Sequence, residues 1–201
     1  LTSLLFTMGG GLAKSLRKKD ILIIGLDNAG KTTLFKQLEG QLKVDQAEIE
    51  TTPTIGCNNE QVGYKGLKLN VVDMGGRDSS RNLWAHHYPT TDAVIFVIDS
   101  TDAGRFDEVK HEVQAMCGEE LQPHCVLLFF ANKQDAPGAT DVATLASRLG
   151  LEEVCNGRPW QIQGASTLNA NGLPQGLDWL SNTLKKQPKT KKKPVATPSN
   201  A

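Results

Sequence analysis

Two stretches, "DAVIFVID" (92–99) and "HCVLLFFAN" (124–132), are apolar at consecutive positions rather than at alternate ones. A strand without alternation hides both faces, as in a parallel sheet covered by helices on each side. "DILIIGL" (20–26) is a third such run and ends beside a glycine, and "WQIQ" (160–163) is a short fourth. "NNEQVGYKGLKLNVVD" (58–73) reads as two strands joined at Lys65–Gly66, a hairpin signal. Helical spacing of apolar residues falls in "KTTLFKQLEGQL" (31–42) and near 105–117, 141–149 and 173–186. Strands alternating with helices predict a doubly wound α/β domain. From Gln187 onward the chain has three prolines and no apolar period, so it reads as disordered. The organisation expected is a basic, amphipathic segment over 1–19, one domain over 20–186, and a disordered basic tail over 187–201.

Charge sharpens this division. The chain has 201 residues, with 22 Lys and Arg against 22 Asp and Glu. Every acidic residue lies between Asp20 and Asp178, a span holding only 12 of the basic ones. The body is thus acidic and both ends are basic: Lys14, Arg17, Lys18 and Lys19 at one, Lys185, Lys186, Lys189 and Lys191 to Lys193 at the other. Such ends suit an anionic surface, or simply keep the termini solvated. Cys57, Cys117, Cys125 and Cys155 have neither metal-site nor disulfide-framework spacing, which fits a reducing cytoplasmic setting. No apolar run has the length of a membrane span.

The chemistry begins at "GLDNAGKT" (25–32), which matches G-x-x-x-x-G-K-[ST] between an expected strand and an expected helix. In that context Gly25, Asp27, Asn28, Ala29, Gly30, Lys31, Thr32 and Thr33 are candidates for cradling phosphates. Backbone N–H groups form an anion nest, Lys31 reaches the β- and γ-phosphates, and the Thr32 hydroxyl holds Mg²⁺. A turn before a helix favours Gly and Asp in any case, so the loop needs company. It comes from "DMGG": Asp73 at a strand end can reach the Mg²⁺ hydration shell, and Gly76 can offer its N–H to a γ-phosphate. "NKQD" follows the run "LLFFA". Asp135 can accept from the ring N–H and exocyclic amine of guanine, a pattern adenine lacks, while Asn132 and Lys133 brace the loops. An ATP-dependent phosphotransferase is disfavoured on that ground.

With these motifs in order, the sequence resembles the Arf and Arf-like branch of the Ras-type GTPases. "GLDNAGKTT", "TPTIG", "DMGG", "NLWAHHY", "FFANKQD" and "GLDWL" carry the likeness, which runs from about Lys19 to Lys185. The wording of "NLW", "FFANK" and "RPW" is closest to the ciliary Arf-like branch that recruits the Bardet–Biedl coat. The resemblance implies a P-loop NTPase fold with a six-stranded, mostly parallel sheet and helices on both faces. It implies GTP/GDP and Mg²⁺ as ligands, with Thr54 joining Thr32 and Asp73 at the metal. Ala165, Ser166 and Thr167 fall in the loop that reads the guanine oxygen. A first switch surrounds Thr54, and a second runs from Gly75 to about His87. Partners implied are an exchange factor, an activating protein and a coat or effector, met by a monomer that binds no nucleic acid. In this branch the Lys65–Gly66 hairpin also slides and displaces an N-terminal helix. Here Leu4, Leu5, Phe6, Leu12 and Leu16 would give that helix an apolar face, suited to a membrane or to a groove of the domain. The implied setting is peripheral membrane association in the cytoplasm, or the base of a cilium or flagellum.

Two departures bear on activity. Arg77 stands where the family has a glutamine. A glutamine amide accepts from water and donates to the γ-phosphate at once, whereas guanidinium only donates. Arg77 can pair with the γ-phosphate like an arginine finger, turn to Asp78, or face solvent. The expectation is a switch with weak intrinsic hydrolysis, in which Arg77, Gly76 and Thr54 carry what chemistry there is; the alternative is a non-hydrolysing, GTP-bound recruitment module. Cys57, Val72 and His87 occupy the positions of the family's aromatic effector triad, so the anchors of relatives are missing. His86 and His87 read as surface or packing residues rather than a metal pair. Arg81 carries no case of its own.

Overall fold

The structure, a computed structural model, describes residues 17–40, 57–65, 67–118 and 121–187. The N-terminal helix expected before residue 17, Thr54 with the "TPTIG" stretch, Gly66 and the tail from 188 onward lie outside the described residues. Six strands form one sheet: β1 (Arg17–Ile24), β2 (Cys57–Tyr64), β3 (Leu67–Met74), β4 (Ala93–Asp99), β5 (Val126–Asn132) and β6 (Trp160–Gly164). Their spatial order is β2-β3-β1-β4-β5-β6, with β2 antiparallel and every other pairing parallel. The helices are α1 (Lys31–Gly40), the single turn α2 (Asp78–Arg81), α3 (Phe106–Gly118), α4 (Val142–Leu149), α5 (Leu151–Val154) and α6 (Leu173–Lys186).

The sheet divides the core in two, and the side-chain period of two decides which residue goes where. On β1, Leu22 and Ile24 join Phe96, Phe129 and the inner faces of α3, α4 and α5. Ile21 and Ile23 face the other way, with Leu34, Phe35 and Leu38 of α1 and Leu173, Leu177, Leu180 and Leu184 of α6. Every residue of β5 is buried, as its unbroken apolar run requires. On the first face the rings of Trp84, Phe96, Phe129 and Trp160 follow one another at centroid distances of 6.2, 6.1 and 6.5 Å.

One boundary differs from the charge-based reading. Arg17, Lys18 and Lys19 are strand residues, paired with Leu67, Lys68 and Leu69 of β3. Lys19 is buried, its ammonium 3.1 Å from Asp92, which also accepts the Asp20 N–H at 2.9 Å. Backbone pairing with β3 and a counter-charge 73 residues away make these basic residues part of the domain. Because five of the strands are parallel, their C-terminal ends lie along one edge of the sheet. The loops that follow β1, β3, β4, β5 and β6 therefore meet there, and this edge carries the site.

Candidate functional site

The chain leaves β1 through Gly25 at φ 140°, where a Cβ would collide with the Val97 carbonyl oxygen of the neighbouring strand. Asn28 (φ 60°) and Gly30 (φ 100°) turn the following residues back on themselves. Such left-handed residues before a helix make a concave row of N–H groups, and α1 begins immediately after, at Lys31. Lys31 is 6% exposed and donates to the Leu26 carbonyl at 2.8 Å. Burial lowers its pKa to about 8, although Asp73 and Asp27 pull the other way. An anion bound in the nest would favour the charged ammonium. Ala29 is buried, Asn28 exposed, and Thr33 half-buried on the first turn of α1.

Asp73 lies fully buried near the end of β3, with the Thr32 hydroxyl donating to its Oδ2 at 3.0 Å. Two hard oxygen donors meet beside the phosphate-loop lysine. That donor set fits Mg²⁺, which takes few protein oxygens and completes its shell with water and phosphate. The third expected ligand, Thr54, is outside the described residues.

Beyond Asp73 the chain passes over the loop at Gly75 and Gly76, both buried. A Cβ on Gly76 would strike Lys31 Nζ and lie 2.5 Å from both the Asp27 nitrogen and the Gly25 carbonyl oxygen, so only glycine seats the backbone here. Arg77 follows directly, on the surface of the domain. Its side chain is exposed, at the N-cap of α2, and makes no capping hydrogen bond. Asp78 pairs instead with Arg81, at 2.7 Å. The Arg81 side chain is 11% exposed and also reaches Glu108 at 2.8 Å, Glu112 at 3.1 Å and the Gly76 carbonyl at 3.1 Å. Burial alone would lower its pKa, but the hydrogen bonds to Glu108 and Glu112 win and raise it.

The remaining candidates form a laced group. The Asn132 side chain, fully buried at the end of β5, donates to the Ala29 carbonyl at 2.7 Å and to Thr167 Oγ1 at 3.0 Å, and accepts from the Thr167 N–H at 2.8 Å. Ala165, Ser166 and Thr167 are buried, and the Gln134 N–H donates to the Ala165 carbonyl at 3.0 Å. Gln134 Nε2 bonds Ser100 Oγ and the Thr140 carbonyl, both at 2.9 Å, which fixes the turn. Lys133, at φ 63°, lays its ammonium 2.5 Å from Asp99. Asp135 follows with its carboxylate exposed. The phosphate loop, the 132–135 turn and the 165–167 loop are thereby one hydrogen-bonded unit.

Sequence reasoning missed two cations. Arg81 is one. Arg105 is the other: it donates to Asp27 Oδ1 at 2.7 Å, to the Asp27 carbonyl at 3.2 Å and to Asp102 at 2.6 Å. Burial would raise the Asp27 pKa, but Arg105 outweighs it and holds the carboxyl below its usual range. The signal available for Arg81 was the i,i+4 pair Glu108 and Glu112; for Arg105 there was only a position after a strand. Val72 is half-buried against the core, and nothing is described of the Cys57 side chain. His87 is partly buried, and burial first, then His86, lowers its pKa. Among the described residues no His, Cys, Asp and Glu group could hold a metal by itself, and no helix is long and apolar enough to cross a membrane.

Comparison with known proteins agrees with this geometry. The model of the ADP-ribosylation factor family matches residues 5–184. Among solved structures, the Arl6 BBS3 small GTPase from Trypanosoma brucei, with the bound nucleotide analogue GppNp, is 37% identical. The match covers 85% of this chain and 99% of that one, with a TM-score of 0.76.

Proposed function

This chain belongs to the ADP-ribosylation factor family of GTP-binding small GTPases, and on that premise we propose a switch whose GTP state recruits a coat or effector protein at a membrane surface and whose intrinsic hydrolysis is weak. The phosphates are assigned to the Gly25–Thr33 loop with Lys31. Guanine is assigned to Asp135, Asn132 and Lys133, with Ala165, Ser166 and Thr167 on its oxygen. Thr32, Asp73 and Thr54 would hold Mg²⁺, which when bound would supply positive charge to offset charge developing on the phosphates. Gly76 donates its N–H to the γ-phosphate, so GTP offers the Gly75–His87 stretch one contact that GDP lacks. An exchange factor and an activating protein then set the lifetime of each state. Vesicular or ciliary trafficking, with a place at the cilium or flagellum base, is the setting we propose. The likeness to the Trypanosoma brucei GTPase supports it, and imaging of the tagged protein tests it.

The observation that carries weak hydrolysis is Arg77. It occupies the family's glutamine position, faces solvent, and offers donors only. No group on it accepts a proton from the attacking water. The test is single-turnover hydrolysis of preloaded GTP with Mg²⁺ by the native chain and by Arg77→Gln. Expected is slow turnover by the native protein and faster turnover by the variant. Equal or faster turnover by the native chain would overturn the account of Arg77. No turnover at all by the native chain would favour the second reading, a GTP-loaded recruitment module. Binding of ATP as tight as that of GTP would refute the guanine assignment.

A further inference from the structure

We propose that Arg81 and Trp84 are positioning residues for the γ-phosphate contact: together they clamp both carbonyls of Gly75–Gly76, aim the Gly76 N–H at the phosphate loop, and tie that contact to α3. The inference rests on the reading of Gly76 above and deepens it.

The first half of the clamp is Trp84, whose indole N–H donates to the Gly75 carbonyl at 3.0 Å. Gly75 C=O and Gly76 N–H belong to one planar peptide unit, and in a trans peptide they point opposite ways. Holding the carbonyl toward the core therefore turns the N–H outward, away from Trp84. The ring is set in the core, 1% exposed and edge-on against Phe96. The second half is Arg81, whose Nε takes the next carbonyl, that of Gly76, at 3.1 Å. Its remaining nitrogens reach Glu108, Glu112 and Asp78. Glu108 and Glu112 stand one turn apart on the same face of α3. Gly76 itself lies against Lys31 and the Asp27 nitrogen, with no room even for a methyl group. Two consecutive peptide units are thus fixed from one side by a core aromatic and a guanidinium, and abut the phosphate loop on the other.

The chemistry chosen is specific. Arg81 serves four oxygen-bearing partners at once, which needs a planar fork of donors rather than the point charge of lysine. GDP has no γ-phosphate and makes no demand on the Gly76 N–H, whereas GTP does. The clamp therefore contributes to the preference for GTP over GDP, and it carries the state of the phosphate site to α3.

The test measures dissociation constants for GDP and for GppNp, with Mg²⁺, in the full chain. The variants are Arg81→Gln, Arg81→Lys, the double Glu108→Gln/Glu112→Gln, and Trp84→Phe. The last keeps an aromatic ring in the core while deleting the N–H, and any packing loss it causes would weaken both nucleotides alike. Expected is a loss of about tenfold in GppNp affinity, the size of one charge-assisted hydrogen bond, with GDP affinity changed by no more than about twofold. Arg81→Lys is expected to behave as Arg81→Gln. Equal weakening of both nucleotides would make the residues merely structural and overturn the inference, as would an unchanged ratio in Trp84→Phe and the α3 double variant. A native chain that binds neither nucleotide would bring down the switch reading itself; a native chain that binds both, with variants that keep its ratio, would sink the clamp alone.

Discussion

The Asn132 side chain and the Thr167 residue exchange two hydrogen bonds, Thr167 N–H to Asn132 Oδ1 at 2.8 Å and Asn132 Nδ2 to Thr167 Oγ1 at 3.0 Å. The same amide nitrogen reaches the Ala29 carbonyl, so one fully buried side chain joins three loops. Removing it strands buried partners that water cannot reach. Asn132→Ala is expected to cost about 2–4 kcal/mol of stability and to weaken guanine-nucleotide binding through both the phosphate and base loops. Chemical denaturation and nucleotide titration measure the two losses separately; a variant within error of native in both would contradict the lacing.

Arg105 makes a different kind of connection, from the end of the 3₁₀ turn Ala103–Arg105 to the phosphate loop at Asp27. The pair is partly exposed, so Arg105→Ala is expected to cost only about 1 kcal/mol. Its larger effect falls on the loop's geometry. Nucleotide release, followed by displacement of a fluorescent analogue, is expected to quicken several-fold, and an unchanged release rate would show that the loop holds its shape alone.

The Asp99–Lys133 pair predicts a pH dependence. Burial would raise the Asp99 pKa, but Lys133 and Thr101 hold it below 3.8. A carboxyl with a depressed folded pKa contributes stability above its unfolded pKa and loses it as pH falls through the folded value. Lys133→Met is therefore expected to be less stable than the native chain by about 1 kcal/mol at neutral pH. The gap closes below pH 3.8, and denaturation series of both proteins across that range report it. A gap that persists in acid would assign the loss to packing instead.

Arg77 and Arg81 are four residues apart, yet they should respond very unequally to mutation. Arg77 faces solvent, so Arg77→Gln is expected to shift stability by no more than about 0.5 kcal/mol. Arg81→Ala uncovers Glu108, Glu112 and the Gly76 carbonyl together and is expected to cost about 3 kcal/mol. Thermal melting of the unliganded proteins distinguishes them, and equal shifts would contradict the exposures described.

Much of the fold was legible because burial writes itself into composition. β4 and β5 are covered on both faces, so their sequences could not alternate, and a sheet with helices on each side followed from that. Glycines at 25, 30 and 76 were legible as loop residues because close backbone approach excludes a side chain. Arg81 and Arg105 were not, since the partners that tie them to the rest of the domain, Glu108 and Asp27, lie 27 and 78 residues away and surface arginines look the same in sequence. Lys19 was assigned to a basic end segment because charge rarely enters a core; the Asp92 carboxylate that allows it is invisible until β1 and the turn before β4 are side by side. Arg77, by contrast, was readable only as a set of alternatives, because nothing local decides whether an exposed arginine turns toward a carboxylate or toward water.

The Gln187 side-chain amide donates to the His124 carbonyl at 2.5 Å and so holds the end of α6 against the turn before β5. His124 stands at the entrance of β5, and Arg17 at the entrance of β1, so Gln187 and Arg17 share the pole opposite the nucleotide loops. A fluorescent label on Gln187→Cys would therefore report from a surface that leaves those loops clear for a second protein.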